Sequence, residues 1–564
     1  MTFNYSVSPD DWLGIAPIVV LVVMALVVML VDLVLPHEGQ RSKHSGPANF
    51  TVLPAVTFLG ILAAMAAAIA LFFVKHPSSV FNQMVGADAG TLYADLLILV
   101  AGGLGILLSP AYLKRLRIVH QGEYYALMLL AMTGMMLMAS ALSFLIVFVG
   151  LEMFSLALYI LCSFVEQRQM SQESGMKYFL LSSFASAFLL YGIALIYAAS
   201  GRTSFVDVQQ FVLKQGGHAP ILLLVGLGLL TVGFAFKVSA VPFQTWTPDV
   251  YQGAPAPVTA FMSIGTKVAA LLAFVRVFGF VLSSVQSDWL PIVWTLAVLT
   301  VVAGNLMAIS QSNIKRMLAY SSVAHGGYLL IGIVISGQAQ QNHIGASAIL
   351  FYLTCYLFMN IGAFGVISML ERSDNSGYDL ADLRGLWYRR PVLAGMLAFF
   401  LLALAGFPPM AGFAGKYYLF YAALVGGHPE LLVIGVIASV LGIYYYLRFI
   451  AVMFMEGRDT ASVGTVSTTS GKIPTTPRTR VSRSLSRPLP SSRGGTAVAE
   501  KPATTRVADL PVPAATVIEN ENTHELEGWS WLALIIAGLG TLLVGVILPF
   551  WLPQLQQAAQ SLLK

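Results

Sequence analysis

The chain has 564 residues, of which 57% are hydrophobic and 10% charged, with a mean hydropathy of +0.78. Soluble globular domains use roughly 25% charged residues, so this composition excludes one and indicates a polytopic membrane protein. The net charge of +5 and the pI near 9.0 do not point to nucleic acid, because the basic residues gather in loops between apolar runs; no nucleic-acid partner is expected.

The first apolar run, 12–35, follows Asp10 and Asp11 rather than a basic segment and is longer than a signal-peptide core, so it reads as a retained span. Runs near 50–74, 92–109, 122–139 and 141–164 come next, most of them near the ~20 residues a bilayer requires. Others follow near 175–199, 220–246, 255–283, 289–310, 314–336, 343–370, 391–425, 431–456 and 529–553. The fold class is therefore an all-α polytopic membrane protein of about 14 transmembrane helices. Alternate short loops carry Arg41, Lys43, Lys114, Arg115, Arg117, Arg168, Lys315, Arg316, Arg372, Arg384, Arg389 and Arg390, against Lys75, Arg202, Lys214 and Lys564 on the other side. The positive-inside rule then puts both termini outside the cytoplasm. Residues 457–528 are rich in Ser, Thr, Pro and Arg and cannot bury a core; they read as a disordered cytoplasmic loop whose arginines could touch anionic lipid.

Four of the twelve lysines, Lys177, Lys237, Lys267 and Lys416, stand alone inside these runs. A charged side chain at mid-bilayer costs at least ~2.5–3.5 kcal/mol, so such placement defaults to an ion pathway. Two of the spans also contain internal prolines: Pro242 after Lys237, and Pro408 and Pro409 before Lys416. Proline removes a backbone donor and breaks the helix, exposing carbonyls at membrane depth. A packing kink explains either break alone equally well, but paired breaks five spans apart point to inverted repeats. The expected organisation is N-terminal helices 1–3 in 1–121, a first five-helix repeat in 122–283, a second in 289–456, the 457–528 loop, and helix 14 in 529–564. Each repeat contains one broken helix. The offset sets Glu152 opposite His325, Lys237 opposite Lys416 and Lys267 opposite Arg448.

Glu152 lies in the middle of its span, where a carboxylate needs a cation or a proton. A fixed structural ion pair is the plainer alternative. For Lys177, only a few residues into its run, the alternative is snorkelling to the interface. His325 sits in the hydroxyl-rich run Ala319–Tyr328; a lone histidine is more often a satisfied core residue, but the neighbouring lysine-bearing spans favour a proton relay. Cys162 and Cys355 read as small core residues. The chain has no phosphate loop, Cys cluster or metal-ligand spacing, so no cofactor, metal or redox centre is expected in it.

The run Pro242–Pro255, the run Asn313–Ser322, and Lys177–Gly192 together resemble the antiporter-like subunits of respiratory complex I, the last run the N-type subunits in particular. The resemblance covers nearly the whole chain apart from 457–528. It implies a membrane-arm subunit of a bacterial NADH:quinone oxidoreductase in the cell inner membrane, partnered by other membrane-arm subunits and lipid. NADH, FMN, iron–sulfur clusters and quinone would all belong to other subunits, and this chain would move protons. By motif, Glu152 and Lys237 resemble the family's mid-membrane ion pair and Lys177 its cytoplasmic-side uptake lysine. Lys267 resembles the connecting lysine, His325 the central histidine, and Lys416 the lysine of the second broken helix. The family usually has His where this chain has Gln244, and glutamine cannot relay a proton by changing its charge. A subunit of a multi-chain Na+/H+ antiporter or membrane-bound hydrogenase shares the broken-helix motifs. A structural anchor with fixed ion pairs is the third possibility.

Overall fold

The computed structural model describes residues 8–35, 49–74, 76–118, 121–215, 219–338, 342–372, 376–455 and 523–563. Of the expected loop at 457–528, residues 457–522 lie outside the described residues, as do Arg41, Lys43, Lys75 and Lys564, while 523–528 are helical rather than loop.

The helices that matter below are α1 (Ala16–Val34), α2 (Asn49–Phe73), α3 (Ala89–Arg115), α4 (Gly122–Ala139), α5 (Phe144–Cys162), α6 (Gln169–Ser200), α7 (Ile221–Val238), α8 (Trp246–Gly253) and α9 (Ala256–Phe274). They continue with α10 (Gln286–Ile309), α11 (Ile314–Ser336), α12 (Asn342–Leu370), α13 (Pro391–Ala405), α14 (Ala411–Val425), α15 (Pro429–Phe454) and α16 (Thr523–Leu562). Among the described residues, 13 helices are long and apolar enough to cross a membrane. The expected span at 391–425 is instead two 15-residue helices, α13 and α14. The last helix begins at Thr523 and ends at Leu562, longer at both ends than its apolar run, because polar residues such as Gln554 and Gln557 continue it. Among the described residues one element is not helical: strands Ser79–Val80 and Val85–Gly86 pair antiparallel in the link between α2 and α3.

Burial sorts the helices into centre and rim. The segment 256–279 is wholly buried, and α11 and α12 nearly so. In α1, by contrast, Leu21, Ala25 and Val28 are buried while Leu26, Leu30 and Leu33 are exposed, an all-round apolar helix with one face for protein and one for hydrocarbon.

Both expected breaks are present. α7 ends at Val238, Ser239 takes a left-handed backbone (φ 65°), and helix resumes at Trp246. α13 ends at Ala405, its cap Gly406 takes φ 95°, where an L side chain would be strained, and α14 starts at Ala411. Each interruption leaves terminal carbonyls without intrahelical partners inside the helix layer.

Candidate functional site

Lys237 sits in the last turn of α7, 2% exposed. Its ammonium donates to the Ser155 and Ser182 hydroxyls, both at 2.8 Å, from α5 and α6. The rings of Phe154 and Tyr178 lie 5.1 and 5.3 Å away, within cation–π range. Glu152 is three residues before Ser155 on α5, so it shares that face, and its Oε1 is buried without a hydrogen-bond partner. Among the described residues no ion pair joins Glu152 to Lys237; the ammonium rests on hydroxyls instead.

Lys267, on α9 and 1% exposed, hydrogen-bonds the Ser322 hydroxyl of α11 and lies 5.5 Å from the Tyr356 ring of α12. His325 stacks on the same Tyr356 ring, with centroids 4.7 Å apart. Its Nδ1 is 2.6 Å from the Tyr352 hydroxyl and its Nε2 3.3 Å from that of Tyr446 on α15; Tyr446 in turn hydrogen-bonds Ser321. Tyrosine and serine hydroxyls both donate and accept, so this cluster can hand a proton on by reorienting. Gly326 lets the two lysine positions approach. A Cβ there would lie 2.7 Å from the Val238 carbonyl, next to Lys237, and 3.8 Å from the Lys267 side chain.

Lys416 of α14, 7% exposed, donates to the carbonyls of Leu404 and Ala405 at 3.2 and 2.9 Å and to the Ser439 hydroxyl at 2.9 Å. These carbonyls are the open end of α13, where the helix dipole favours a cation. The ammonium lies 5.6 Å from the Tyr328 ring, whose centroid is 5.9 Å from that of His325. Lys267, Tyr356, His325, Tyr328 and Lys416 thus follow one another in unbroken contact.

Lys177 is apart from this axis. Its ammonium bonds Asp249 of α8 and Glu173, both at 2.7 Å, with two-fifths of the side chain exposed. Asp249 also takes Arg316 at 2.6 Å. Partial burial pushes the Asp249 carboxyl up, but hydrogen bonds from Lys177 and Arg316 outweigh it and hold the carboxyl below its ordinary range. All four groups line one open cavity of about 150 Å³. Asp249 stands in the motif by which the family resemblance is recognised, yet only the three-dimensional arrangement makes it the partner of Lys177.

A second buried charge group was hidden in the sequence. Glu371, immediately after α12, has a fully buried side chain ion-paired with Arg168 and, at 2.6 Å, with Lys315. The Tyr112 hydroxyl donates to it at 2.9 Å. Arg168 and Lys315 read in sequence as loop charges; here they converge on one carboxylate. Burial raises the Glu371 carboxyl, and the Lys315 and Arg168 charges more than reverse this, leaving it below its ordinary value. Two sequence positions do not join the axis. Arg448 donates to the Ile309 carbonyl at 2.9 Å, and buried Gln244 has Met307 Sδ at 4.0 Å with its Oε1 unpartnered. Cys162 and Cys355 are free and buried.

The family model described as NADH:quinone oxidoreductase/Mrp antiporter, TM, matches residues 141–442. The chain is 42% identical over 442 residues to a protein of Trichlorobacter lovleyi named NADH-quinone oxidoreductase subunit N, covering 78% of this chain and 87% of that one. A protein of the same name from Chloroflexus aggregans is 39% identical over 465 residues, covering 82% and 92% of the two chains. Among solved structures, a chain of respiratory complex I from Thermus thermophilus with bound aureothin superposes with a TM-score of 0.66 at 28% identity, covering 95% of this chain and 98% of that one.

Proposed function

The chain belongs to the NADH:quinone oxidoreductase/Mrp antiporter family, and from that premise we propose that it is the N-type membrane-arm subunit of a bacterial NADH:quinone oxidoreductase. Other chains carry the electrons from NADH to quinone; this one moves protons. The observation that carries the reading is the buried axis from Lys267 through Tyr356, His325 and Tyr328 to Lys416, with Lys237 one close helix contact away. Buried ammonium groups in a membrane protein are expensive, and the continuity of this series gives them a common purpose.

In this reading a charge shift arriving from a neighbouring subunit acts first on Glu152. Drawing the Lys237 ammonium toward Glu152 stabilises its proton; releasing it back onto Ser155 and Ser182 makes the proton easier to lose. The proton passes by water to Lys267, along the Ser322, Tyr356 and His325 hydroxyl and imidazole cluster, and on to Lys416. The Lys177, Asp249 and Arg316 cavity draws the next proton from the cytoplasm. Each proton moved against 100 mV requires about 2.3 kcal/mol, comparable with the value of one or two hydrogen bonds to a charged group.

The two interrupted helices support a pair of inverted five-helix repeats over 122–283 and 289–456, with 1–121 and the last helix outside them. The excess of basic residues at one set of loops supports termini on the non-cytoplasmic side of the bacterial inner membrane. The test is Lys237→Met in assembled complex, read as protons moved per electron.

A further inference from the structure

A separate group of ionisable side chains lies at the other end of α9, outside the lysine axis. Asp88 caps α3, accepting from the Thr91 amide at 3.0 Å, and pairs with Arg276 at 2.5 Å. Arg276, 1% exposed, also donates to the Thr91 hydroxyl at 2.6 Å and the Ala141 carbonyl at 3.1 Å. Further along α3, Asp95 is 3% exposed and its Oδ1 has no hydrogen-bond partner. Among the described residues no ion pair reaches it, and the charged groups nearest in effect are Asp88 and Arg276. A buried, unpaired carboxylate is too costly to persist as a bare charge; it must hold a proton or exchange one.

The register of α3 against α9 fixes the depth of Asp95. Gly105 packs on Phe261 and the Pro257 carbonyl, while Asp88 and Thr91 meet Arg276, so the two helices run antiparallel and Asp95 falls between the levels of Lys267 and Arg276. At the helical rise of 1.5 Å per residue, each of these two steps in depth is about 6–7 Å along the helix axis. Beyond the Arg276–Asp88 pair is a cavity of about 340 Å³ lined by His76, Ser78, Asp88, Ala89, Gln557 and Ser561. His76 sets both ring nitrogens against carbonyls, Pro77 at 2.8 Å and Leu71 at 2.9 Å.

We propose that Asp95, the Arg276–Asp88 pair and the cavity beside His76 form a proton-release branch that leaves the axis at Lys267 and opens on the membrane face opposite the Lys177 cavity. The branch rests on the proton-moving function proposed above. The neutral Asp95 acid gives its proton to cavity water and becomes a carboxylate. The carboxylate draws the Lys267 proton through water and is neutral again, and Lys267 is refilled from the axis. Arg276 keeps its proton throughout. Balanced by Asp88, it does not repel the passing proton as a lone arginine in a pore does.

The test uses the assembled complex in proteoliposomes, measuring NADH oxidation and protons moved per electron. Asp95→Asn is expected to lower the ratio, or to stop oxidation where coupling is obligatory, and Asp95→Glu to restore it. Lys237→Met tests the underlying reading separately. A lowered ratio in Lys237→Met beside wild-type rate and ratio in Asp95→Asn overturns the branch and leaves that reading standing; wild-type values in both overturn both. Should Asp95→Asn fail to assemble, Ala89→Cys decides, because Ala89 lines the cavity. Labelling it from that face with a membrane-impermeant cationic methanethiosulfonate must lower the ratio, and an unchanged ratio after complete labelling overturns the branch.

Discussion

The Lys237 ammonium rests on the Ser155 hydroxyl at 2.8 Å, one helical turn from Glu152 on the same face of α5. A lysine held by neutral hydroxyls beside an unbonded carboxylate has two alternative partners within one turn, which is what a charge switch requires. Ser155→Ala removes one of them. Hydrogen bonds to charged groups contribute about 1.5–3 kcal/mol, so NADH-driven proton flux should fall by roughly tenfold or more in a complex that native gels show to be complete. Unchanged flux would make Ser155 a space-filling residue.

Glu371 is expected to hold the fold rather than move protons. It gathers Arg168, Lys315 and Tyr112 from three separate stretches of chain. Glu371→Gln leaves the buried Lys315 and the partly buried Arg168 without their counter-charge, a change that costs about 3–5 kcal/mol. The thermal midpoint of the complex should drop while the proton-to-electron ratio of surviving complex stays at the wild-type value. The pH dependence follows from the sign of the shift. The folded carboxyl lies below its unfolded value, so its contribution is present above the ordinary carboxylate range near pH ~4 and is lost as pH falls through the folded value. Acid should therefore destabilise wild type more steeply than Glu371→Gln in melting curves recorded across that window.

At the Lys177 cavity the predicted effects are unequal. Lys177 is two-fifths exposed, and an exposed pair is worth about 0–1 kcal/mol, so Lys177→Ala should barely alter stability. Asp249→Asn reaches further, because Asp249 holds both Lys177 and Arg316. If this cavity supplies protons, proton uptake in Asp249→Asn becomes limiting as protons grow scarce, and turnover should decline at lower alkalinity than in wild type. Superimposable pH–rate curves would remove Asp249 from the uptake route.

The legible parts of the molecule are those fixed by local rules. Helix spans follow from the length of apolar runs, and the interruptions at Ser239 and Gly406 follow from Pro242, Pro408 and Pro409, since a missing backbone donor acts wherever the chain goes. Lys237, Lys267 and Lys416 stand out because isolated charge in an apolar run is visible without coordinates. Partner choice is not local. Ser155 and Ser182 look like ordinary hydroxyls in apolar helices, and the contact between Lys237 and Glu152 expected by motif is replaced by one to these serines. Glu371, Arg168 and Lys315 sit at the ends of runs, where sequence alone reads solvated loop charges. Only helix packing turns them inward. Asp95 gives no signal in sequence for a related reason: it lies near the start of a run, where a carboxylate normally reaches water. The two-stranded hairpin at 79–86 is too short to leave a pattern.

On the proposed mechanism, Lys237 carries a proton whose movement is driven by NADH oxidation elsewhere in the complex. Lys237→Met removes the titrating group and keeps a side chain of similar length. In proteoliposomes holding fully assembled complex, the variant should move fewer protons per electron, or lose NADH oxidation in a way that an uncoupler does not restore. A wild-type rate with a wild-type proton-to-electron ratio would contradict it.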